Sequence, residues 1–165
     1  MEPKIDKVTV NIGVGETGEK LDKAYSLVQT LVEQKPIKTT AKSKVPTWGL
    51  REGLPIGIKV TLRKDKANKF LKNAFVAVEN KLNESCFDKF GNFSFGVSEY
   101  IELPNAKYDP KIGVFGLDVC VTMKKPGYRI KARKRHQKKI AQKHALRKEE
   151  SVAYITKKFG VEVVK

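Results

Sequence analysis

The sequence predicts an α+β protein in which a single, mostly antiparallel sheet has helices packed on one face and a polar, basic face left open. Several segments alternate apolar and polar residues, which is the period of a strand buried on one side only. Other segments carry apolar residues at helical spacing. A doubly wound parallel sheet is disfavoured, because its strands are apolar on both faces. At 165 residues the chain has the length of one globular domain.

Four strands are predicted, in the segments KIDKVTVNI, PIGIKVTLR, GNFSFGVSEYIEL and GLDVCVTM. The apolar positions of these strands are Val8, Val10 and Ile12; Ile58, Val60 and Leu62; Phe93, Phe95 and Val97; and Leu117, Val119, Val121 and Met123. The alternating polar positions of the first two strands are Lys7, Thr9, Asn11, Lys59, Thr61 and Arg63. The apolar set is expected to face the helices and the polar set to face outward.

Two helices are predicted between the strands, each with one apolar stripe. Thr17 is a candidate N-cap of the first helix, and Asp65 is a candidate N-cap of the second. Pro36 lies just beyond the end of the first helix. The stripe residues are Leu21, Ala24, Leu27, Val28, Leu31 and Val32 in the first helix and Phe70, Leu71, Ala74, Phe75 and Val78 in the second.

Charge is the clearest signal in the composition. The chain has 34 Lys and Arg against 18 Asp and Glu, a net charge of +16 and a pI near 9.8. Such an imbalance favours a polyanionic partner, with nucleic acid ahead of an anionic membrane surface. No apolar run approaches the roughly 18 residues of a membrane span, and the N-terminal MEPKIDK lacks the apolar core of a signal peptide. We therefore expect a cytosolic protein that binds nucleic acid.

The cations are concentrated in two stretches without acidic residues. Residues 35–51 hold five Lys and Arg, and residues 131–148, KARKRHQKKIAQKHALRK, hold nine. The second stretch is called the basic segment below. These stretches predict two contact surfaces, or one surface built from both. A solvated helix is the alternative for the basic segment, but its uncompensated charges would repel one another in water, so phosphate contacts are favoured.

A glycine pattern near the N-terminus, Gly13-x-Gly15-x-x-Gly18, lies between a predicted strand and a predicted helix. This is the order of a dinucleotide-binding fingerprint. The segment that follows, PIKTTAKSK, is polar where that fold needs an apolar strand, and Glu33 lies at a helix end. A glycine-rich turn without a nucleotide cofactor is therefore favoured, and its glycines let backbone approach a partner closely.

The outward face of the sheet is expected to carry cations, hydroxyls and an amide. Lys38, Thr40 and Lys42, which lie in sequence between the first two strands, are expected to add to this face. The chemistry matches phosphates, sugar hydroxyls and base edges. An ordinary solvated sheet face is the alternative, but it would mix in Glu and Asp, which these segments almost lack.

Neither a catalytic centre nor a metal site is predicted. His136 and His144 are eight residues apart with no Cys or carboxylate between them. Cys86 and Cys120 have apolar neighbours in sequence and are expected to be reduced core thiols. Without a nucleophile, base or metal cluster, an enzyme is disfavoured.

Three blocks of sequence carry a resemblance to a known family. They are NIGVGE, QKPIKTTAKSKVPTWGLREGLPIGIKVTLR and FDKFGNFSFGVSEYIELPNAKYDPKIGVFGLDVCVTM. In this order and spacing they resemble the family of the fifth protein of the large ribosomal subunit, which binds 5S rRNA. The resemblance covers about residues 3–123 and is strongest from Gln34 to Arg63. It is closest to archaeal members, because the chain continues past Met123 into a basic tail.

The resemblance implies a structural constituent of the large ribosomal subunit, bound to the ribosome in the cytoplasm and without a cofactor. The implied partners are 5S rRNA, large-subunit rRNA, neighbouring large-subunit proteins, the P-site tRNA and a protein of the small-subunit head. In the family the polar sheet face binds 5S rRNA. The residues expected to do so here are Lys7, Thr9, Asn11, Gln34, Lys35, Lys38, Thr40, Lys59, Thr61 and Arg63. Gln34 and Lys35 enter this set through the resemblance alone.

The resemblance also implies two contacts away from the sheet. The family's loop before the REGLPIG segment reaches the elbow of the P-site tRNA. The matching contacts here are Ser43, Lys44, Thr47, Trp48 and Arg51. Trp48 stacks on an exposed nucleobase or tucks into the base of the loop, and the usual burial of lone aromatics favours tucking. The segment from Phe90 to Phe95 resembles the part that faces the small subunit and bridges to its head.

The C-terminal part is expected to be a basic helical extension, residues 126–165, that docks on a core domain of residues 1–125. A short amphipathic helix in SVAYITKKFGVEV is expected to dock through Val152, Ile155 and Phe159. A free-standing basic RNA-binding protein is the alternative to a ribosomal role. The expected rRNA contacts of the basic segment are Lys131, Arg133, Lys134, Arg135, Lys138, Lys139 and Lys143.

Overall fold

The computed structural model describes residues 2–104 and 106–164. Along the chain its elements are β1 (Lys4–Gly13), α1 (Glu19–Val32), β2 (Ile37–Thr40), β3 (Pro55–Leu62), α2 (Lys64–Ala77), β4 (Lys81–Asn83), β5 (Phe93–Val97), β6 (Leu117–Lys124), α3 (Arg129–Ala132), α4 (Lys148–Phe159) and β7 (Glu162–Val164). A five-stranded sheet has the order β2-β3-β1-β6-β5, and every neighbouring pair in it is antiparallel. β4 and β7 form a separate parallel pair. The predicted α+β class with one main antiparallel sheet is confirmed.

One face of the sheet forms the core with the helices. All the apolar strand positions predicted to face inward are buried, and Val8, Ile58 and Leu62 are fully so. α1 packs on β3 and α2 packs on β1. Of the predicted helix stripes, only Leu31 and Val78 are partly rather than fully buried. The alternation in the strands and the helical spacing between them therefore predicted both sides of this interface.

Both helices begin at positions other than those predicted from their N-cap residues. α1 begins at Glu19, and the N-cap is Gly18, whose φ of 101° is strained for any residue with a Cβ. Thr17 lies one residue too early. α2 begins immediately after β3, so Arg63 is the N-cap, and Asp65 lies inside the first turn. There the carboxylate of Asp65 interacts favourably with the positive end of the helix dipole.

The basic segment is not a continuous helix, contrary to the prediction of a helical extension. α3 ends at Ala132, and residues 133–141 have no regular secondary structure. A helix through these residues would place like charges four positions apart, as for Lys134 and Lys138, which destabilises a helix. His136 instead adopts a left-handed conformation with φ of 53°. Helical structure resumes in a short turn at 142–144 and then in α4.

α4 docks on the body as predicted. Ile155 is fully buried, and Val152 and Phe159 are partly buried against the core. The Phe159 ring meets Phe75 of α2 edge to face, with the ring centroids 5.2 Å apart. The helix ends at Phe159, and its C-cap Gly160 has a φ of 69°, so the last residues of SVAYITKKFGVEV leave the helix and form β7.

Candidate nucleic-acid interface

The sheet face opposite α1 and α2 is called the open face. The predicted polar positions of β1 and β3 lie together on it, because Thr9 pairs with Thr61 and Asn11 pairs with Lys59 across the two strands. Lys7 continues the alternation in β1, and Arg63 directly follows β3 in an extended conformation at the same end. The structure thus brings together the six residues that the alternation placed on this face: Lys7, Thr9, Asn11, Lys59, Thr61 and Arg63.

The pairing of β6 and β5 extends the open face beyond the predicted residues. One row across the sheet contains hydroxyls and a thiol: Thr61, Thr9, Cys120 and Ser94. A second row contains a cation, an amide, a carboxylate and a glycine: Lys59, Asn11, Asp118 and Gly96. The alternation around Val119 already separates Asp118 and Cys120 from the apolar positions. The sequence pattern does not reveal the strand order, which places β6 directly beside β1 and so adds Asp118 and Cys120 to the open face.

Cys120 is exposed on the open face, so its prediction as a core thiol is wrong. Its sequence neighbours Val119 and Val121 are buried because they point to the other face of the strand. Partial burial raises the pKa of the Cys120 thiol, and the nearby Asp118 carboxylate raises that pKa further. The thiol therefore stays uncharged at neutral pH and adds no negative charge to the face.

The cations of the open face differ in their partners. Asp6 lies at a register shift in β1, where its carboxylate is 2.6 Å from the Lys124 ammonium and 3.7 Å from the Arg63 guanidinium. Lys7 and Lys59 form no ion pair with any acid in the part of the chain that the structure describes. Lys7 and Lys59 therefore carry the uncompensated positive charge of this face.

The register of the edge strand β2 shows that the prediction of Lys38 on the open face is wrong. Lys38 pairs with the buried Ile58, and this puts Lys38 on the helix side of the sheet rather than on the open face. Its ammonium lies 2.7 Å from the Asp22 carboxylate and 5.9 Å from the centre of the Tyr25 ring, both on α1. The edge of the helix layer leaves room for a long side chain to reach solvent there. Ile37, which is 67% exposed, lies on the open face instead.

The remaining predicted residues of this region lie around the β2 edge. The Gln34 amide donates to the Thr61 carbonyl at 3.2 Å. Thr61 lies in the part of β3 that β2 does not reach, because β2 begins at Ile37, opposite Lys59. Gln34 thus satisfies a strand-edge carbonyl, and its amide oxygen remains an acceptor. Thr40 is exposed opposite Pro55, after a register shift in the edge strand. Lys35 is exposed.

The glycine pattern forms a turn unlike that of a dinucleotide-binding unit. The backbone N–H groups of Val14 and Gly15 both donate to the Ile56 carbonyl, at 3.1 and 2.9 Å. These N–H groups are therefore bonded to β3, the neighbour of β1, and are not directed toward a phosphate. The strand after α1 pairs with β3 and not with β1, so the parallel βαβ unit that presents a pyrophosphate to a helix N-terminus is not formed here.

The loop from Ser43 to Arg51 is the tip of a hairpin between β2 and β3. Val45 and Leu50 exchange two backbone hydrogen bonds of 3.0 and 3.1 Å at its base. Trp48 is 74% exposed at the tip, so the predicted tucking of its ring is wrong. The other predicted contacts of this loop are also exposed: Ser43, Lys44, Thr47 and Arg51.

The basic segment is fully open to solvent over residues 131–139. Arg133 donates from Nε to the His136 carbonyl at 2.8 Å, and Gln137 donates to the Lys131 carbonyl at 2.6 Å. None of the predicted contacts of this segment forms an ion pair within residues 2–104 and 106–164. These are Lys131, Arg133, Lys134, Arg135, Lys138, Lys139 and Lys143.

Both ends of the exposed stretch are fixed to the body. The Leu146 N–H donates to the Tyr128 hydroxyl at 2.6 Å, and the Leu146 side chain is buried. His144 Nε2 lies 2.8 Å from the Pro126 carbonyl. Lys125, only 8% exposed, pairs with Glu150 of α4 at 2.7 Å. The hydrogen bond from Lys125, followed by one from the Arg147 backbone, holds the pKa of Glu150 below its ordinary value.

A tight turn between β4 and β5 presents an exposed aromatic ring. The Asp88 carboxylate accepts from the backbone N–H groups of Phe90 and Asn92 at 2.8 and 2.7 Å. Phe90 is 69% exposed at this turn. Gly91 lies against Leu146, so the turn and the end of the basic segment are neighbours.

The described residues contain no cluster of three or more His, Cys, Asp or Glu that would hold a metal ion. A search of the same residues for a helix with the length and apolar character of a membrane span found none.

The open face, the exposed loop and the basic segment are typical of a nucleic-acid-binding protein, because each presents exposed cations, accompanied by hydroxyls and an amide on the open face. Comparison with known families identifies which one. Residues 1–51 match the family model described as ribosomal protein L5, and residues 55–154 match the model of the C-terminus of the same ribosomal family. The chain belongs to the ribosomal protein L5 family, which is a family of ribosomal proteins and not of enzymes.

Close relatives agree with this assignment. The chain is 54% identical over 166 residues to the large ribosomal subunit protein uL5 of Methanococcus vannielii, covering 99% of this chain and 92% of the relative. It is 50% identical to uL5 of Methanococcus maripaludis over 99% of this chain and 92% of the relative. It is 49% identical to uL5 of Methanococcus aeolicus over 98% of this chain and 91% of the relative. The resemblance to the archaeal type is confirmed, and it extends through the basic segment.

Proposed function

We propose that the open face binds 5S rRNA and helps to attach it to the large ribosomal subunit. As a member of the ribosomal protein L5 family, the protein is a large-subunit ribosomal protein, bound to the ribosome in the cytoplasm. The single observation that supports the finer assignment is the composition of the open face. It combines the uncompensated cations Lys7 and Lys59 with hydroxyls and an amide on two paired strands.

The arrangement supports a division of labour among these side chains. Lys7 and Lys59 attract phosphates, whereas Thr9, Thr61 and Asn11 suit sugar hydroxyls and base edges. Asp118 of β6 lies opposite Asn11 of β1 in the strand register, and its carboxylate repels a phosphate at that point. A hydrogen-bond donor suits this place, and the ribose 2′-hydroxyl and base amino groups of RNA are such donors.

The proposal includes three further contacts, each at an exposed surface. The loop from Ser43 to Arg51 contacts the P-site tRNA through its exposed tip. The turn at Phe90 faces the small subunit and contributes to a bridge to its head. The basic segment binds large-subunit rRNA, because its cations from Lys131 to Lys143 are exposed and free of acidic partners among the described residues, whereas Lys148 at its end pairs with Glu84 at 3.0 Å.

A matched pair of substitutions tests the open face. Lys59→Gln and Lys38→Gln remove the same charge from neighbouring strands but from opposite faces of the sheet. We expect Lys59→Gln to weaken 5S rRNA binding severalfold and to make its dependence on log salt shallower by about 0.9 for the lost phosphate contact. Lys38→Gln should leave both quantities nearly unchanged. Titrations with 5S rRNA at several salt concentrations measure this, and equal losses in the two variants would contradict the assignment.

Two comparisons separate specific binding from general attraction to RNA. tRNA in place of 5S rRNA should bind the wild-type protein more weakly at every salt concentration. A free-standing RNA-binding protein would instead leave the large subunit when cell lysate is washed with salt and sedimented through a sucrose gradient. Retention in the large-subunit fraction supports the ribosomal role.

A further inference from the structure

We infer that Trp48 is a stacking platform for an unpaired nucleobase of the tRNA that loop 43–51 contacts. This inference rests on the proposed function of the loop and names the chemical group that the loop recognises. Trp48 has the highest exposure among the large hydrophobic residues that the structure describes, at 74%. An indole in water on a structured tip is an unusual use of the largest apolar side chain.

The backbone that carries Trp48 is already ordered in a turn before any partner arrives. Pro46 begins a single 3-10 turn, and Gly49 ends it with a φ of 66°. The Trp48 N–H donates to the Val45 carbonyl at 3.2 Å, and the Gly49 N–H donates to the Pro46 carbonyl at 3.0 Å. Little backbone entropy is therefore left to lose when a flat ligand stacks on the indole.

The surroundings of Trp48 favour a nucleobase over a protein surface. Within the loop, the apolar residues Val45 and Leu50 are half-buried at the base of the hairpin, and only Pro46 is exposed beside Trp48, so the loop offers little apolar surface beyond the indole. A protein interface is usually built around such a patch. Lys44 and Arg51 are exposed in the same loop and form no ion pair among residues 2–104 and 106–164, although Glu52 follows in sequence. Cations beside an aromatic ring match a base together with its phosphates.

Stacking gives the loop a selectivity that its charges alone lack. Lys44 and Arg51 attract the phosphates of any RNA. A continuous duplex keeps its bases stacked on one another, whereas an unpaired base can place a face on the indole. We therefore expect Trp48 to make the loop prefer RNA that exposes an unpaired base.

Trp48 is the only tryptophan in the chain, so its fluorescence reports on this loop alone. The full-length protein is first bound to 5S rRNA to occupy the open face, which should leave the emission nearly unchanged. Unmodified tRNA is then added, and in a parallel sample a duplex RNA with the same number of phosphates. We expect tRNA to quench Trp48 and to shield it from acrylamide, and the duplex to do neither. Equal quenching by both RNAs, or quenching by 5S rRNA alone, would overturn the inference.

Three variants separate stacking from charge. Trp48→Ala should weaken tRNA binding to the 5S complex by about 10-fold, the effect of losing one stacked base, and Trp48→Phe should restore most of the loss. Lys44→Gln combined with Arg51→Gln should weaken binding and flatten its salt dependence. If only the charge variant weakens binding, the loop contacts tRNA without stacking, and the inference fails while the proposed function stands.

Two other results would end the inference in different ways. If neither the Trp48 nor the charge variants change tRNA binding, the proposed role of the loop fails as well. If salt-washed small subunits shift the Trp48 emission and tRNA does not, the residue contacts the small subunit and the stacking assignment is wrong.

Discussion

The open face and the basic segment both present uncompensated cations, but they hold those cations in different ways. On the open face, Lys59 and Asn11 are neighbours because their strands are paired in register. In the basic segment, the backbone from 133 to 141 has no regular structure, and the contacts that hold the segment to the body lie near its two ends. The open face therefore offers a fixed pattern of groups, whereas the basic segment offers a high density of charge on an irregular backbone.

This difference indicates what each region is suited to recognise. Fixed spacing lets hydroxyls and amides match particular groups of a folded RNA. Charge on an irregular backbone contributes counterion release, which depends on salt and hardly on sequence. Specificity is expected from the sheet and salt-sensitive affinity from the segment.

The largest expected effect separates the two regions by charge. Replacing Lys131, Lys134, Lys138 and Lys139 with Gln should weaken attachment to large subunits on the order of 1,000-fold at physiological salt and reduce the salt slope by about 3 to 4. The melting temperature should not change, because these side chains are exposed. Cosedimentation with salt-washed large subunits that lack the protein measures this effect.

A control for this experiment removes the same charge from the helices. Replacing Lys20, Lys23, Lys69 and Lys72 with Gln lowers the net charge equally on α1 and α2. The control should retain most of the attachment. If the variant of the basic segment lost 5S rRNA binding as severely as subunit attachment, the proposed division between the two regions would be wrong.

A smaller effect is expected from one amide on the open face. Asn11→Ala should weaken the 5S rRNA complex by about 1 to 3 kcal/mol, because it leaves polar RNA groups unpaired. The salt slope should stay the same, since no charge is removed. Gln29→Ala on α1, which removes an exposed amide from the helix side, serves as the control in the same titrations. A change in salt slope for Asn11→Ala would show that the open face also acts mainly through charge.

The smallest expected effect concerns how the basic segment is anchored. The pKa of Glu150 is lowered in the folded protein, so its pair with Lys125 stabilises the fold at neutral pH. This contribution is present above the ordinary pKa of a glutamate and is lost as pH falls through the lowered value. Because Glu150 is half-exposed, solvent screening limits the contribution to about 1 kcal/mol.

Amide exchange at two sites measures this anchor. Glu150→Gln should speed exchange of the Leu146 N–H at pH 7, with little change at Val10 in the centre of the sheet. The difference in Leu146 exchange rate between the variant and the wild type should shrink as the pH falls below the ordinary pKa of a glutamate, because Glu150 then becomes protonated in the wild type. Equal changes at Leu146 and Val10 would mean that the ion pair supports the whole fold and not only the anchor of the basic segment.

The sheet was predictable from sequence because strand periodicity is local. Val8 and Thr9 point to opposite faces whatever the partner strand is, so the buried and open residues of β1 were predicted correctly. Lys38 was misplaced because the register of an edge strand depends on its neighbour. A Cβ on Gly57 would lie 2.8 Å from the Thr39 hydroxyl, so the close pairing of Thr39 with Gly57 depends on a glycine of another strand.

The path of the basic segment was not predictable, for a related reason. Its composition predicted exposure correctly, but like charges four residues apart oppose the helix that was expected. Its anchors join groups that are distant in sequence, such as the Tyr128 hydroxyl with the Leu146 N–H and Lys125 with Glu150. No local pattern marks these contacts. Trp48 was misjudged because burial is the usual outcome for a lone aromatic, whereas the hairpin tip holds it in solvent.

The central position of β1 has a consequence for the order in which the protein is made. β1 lies between β3, which ends at Leu62, and β6, which ends at Lys124. During synthesis from the N-terminus, β1 and β3 can pair first and bring Asn11 beside Lys59 before β6 exists. The basic segment is synthesised only after the last strand of the sheet. A nascent chain thus forms the patterned half of its RNA surface before it exposes the charge that attracts any RNA.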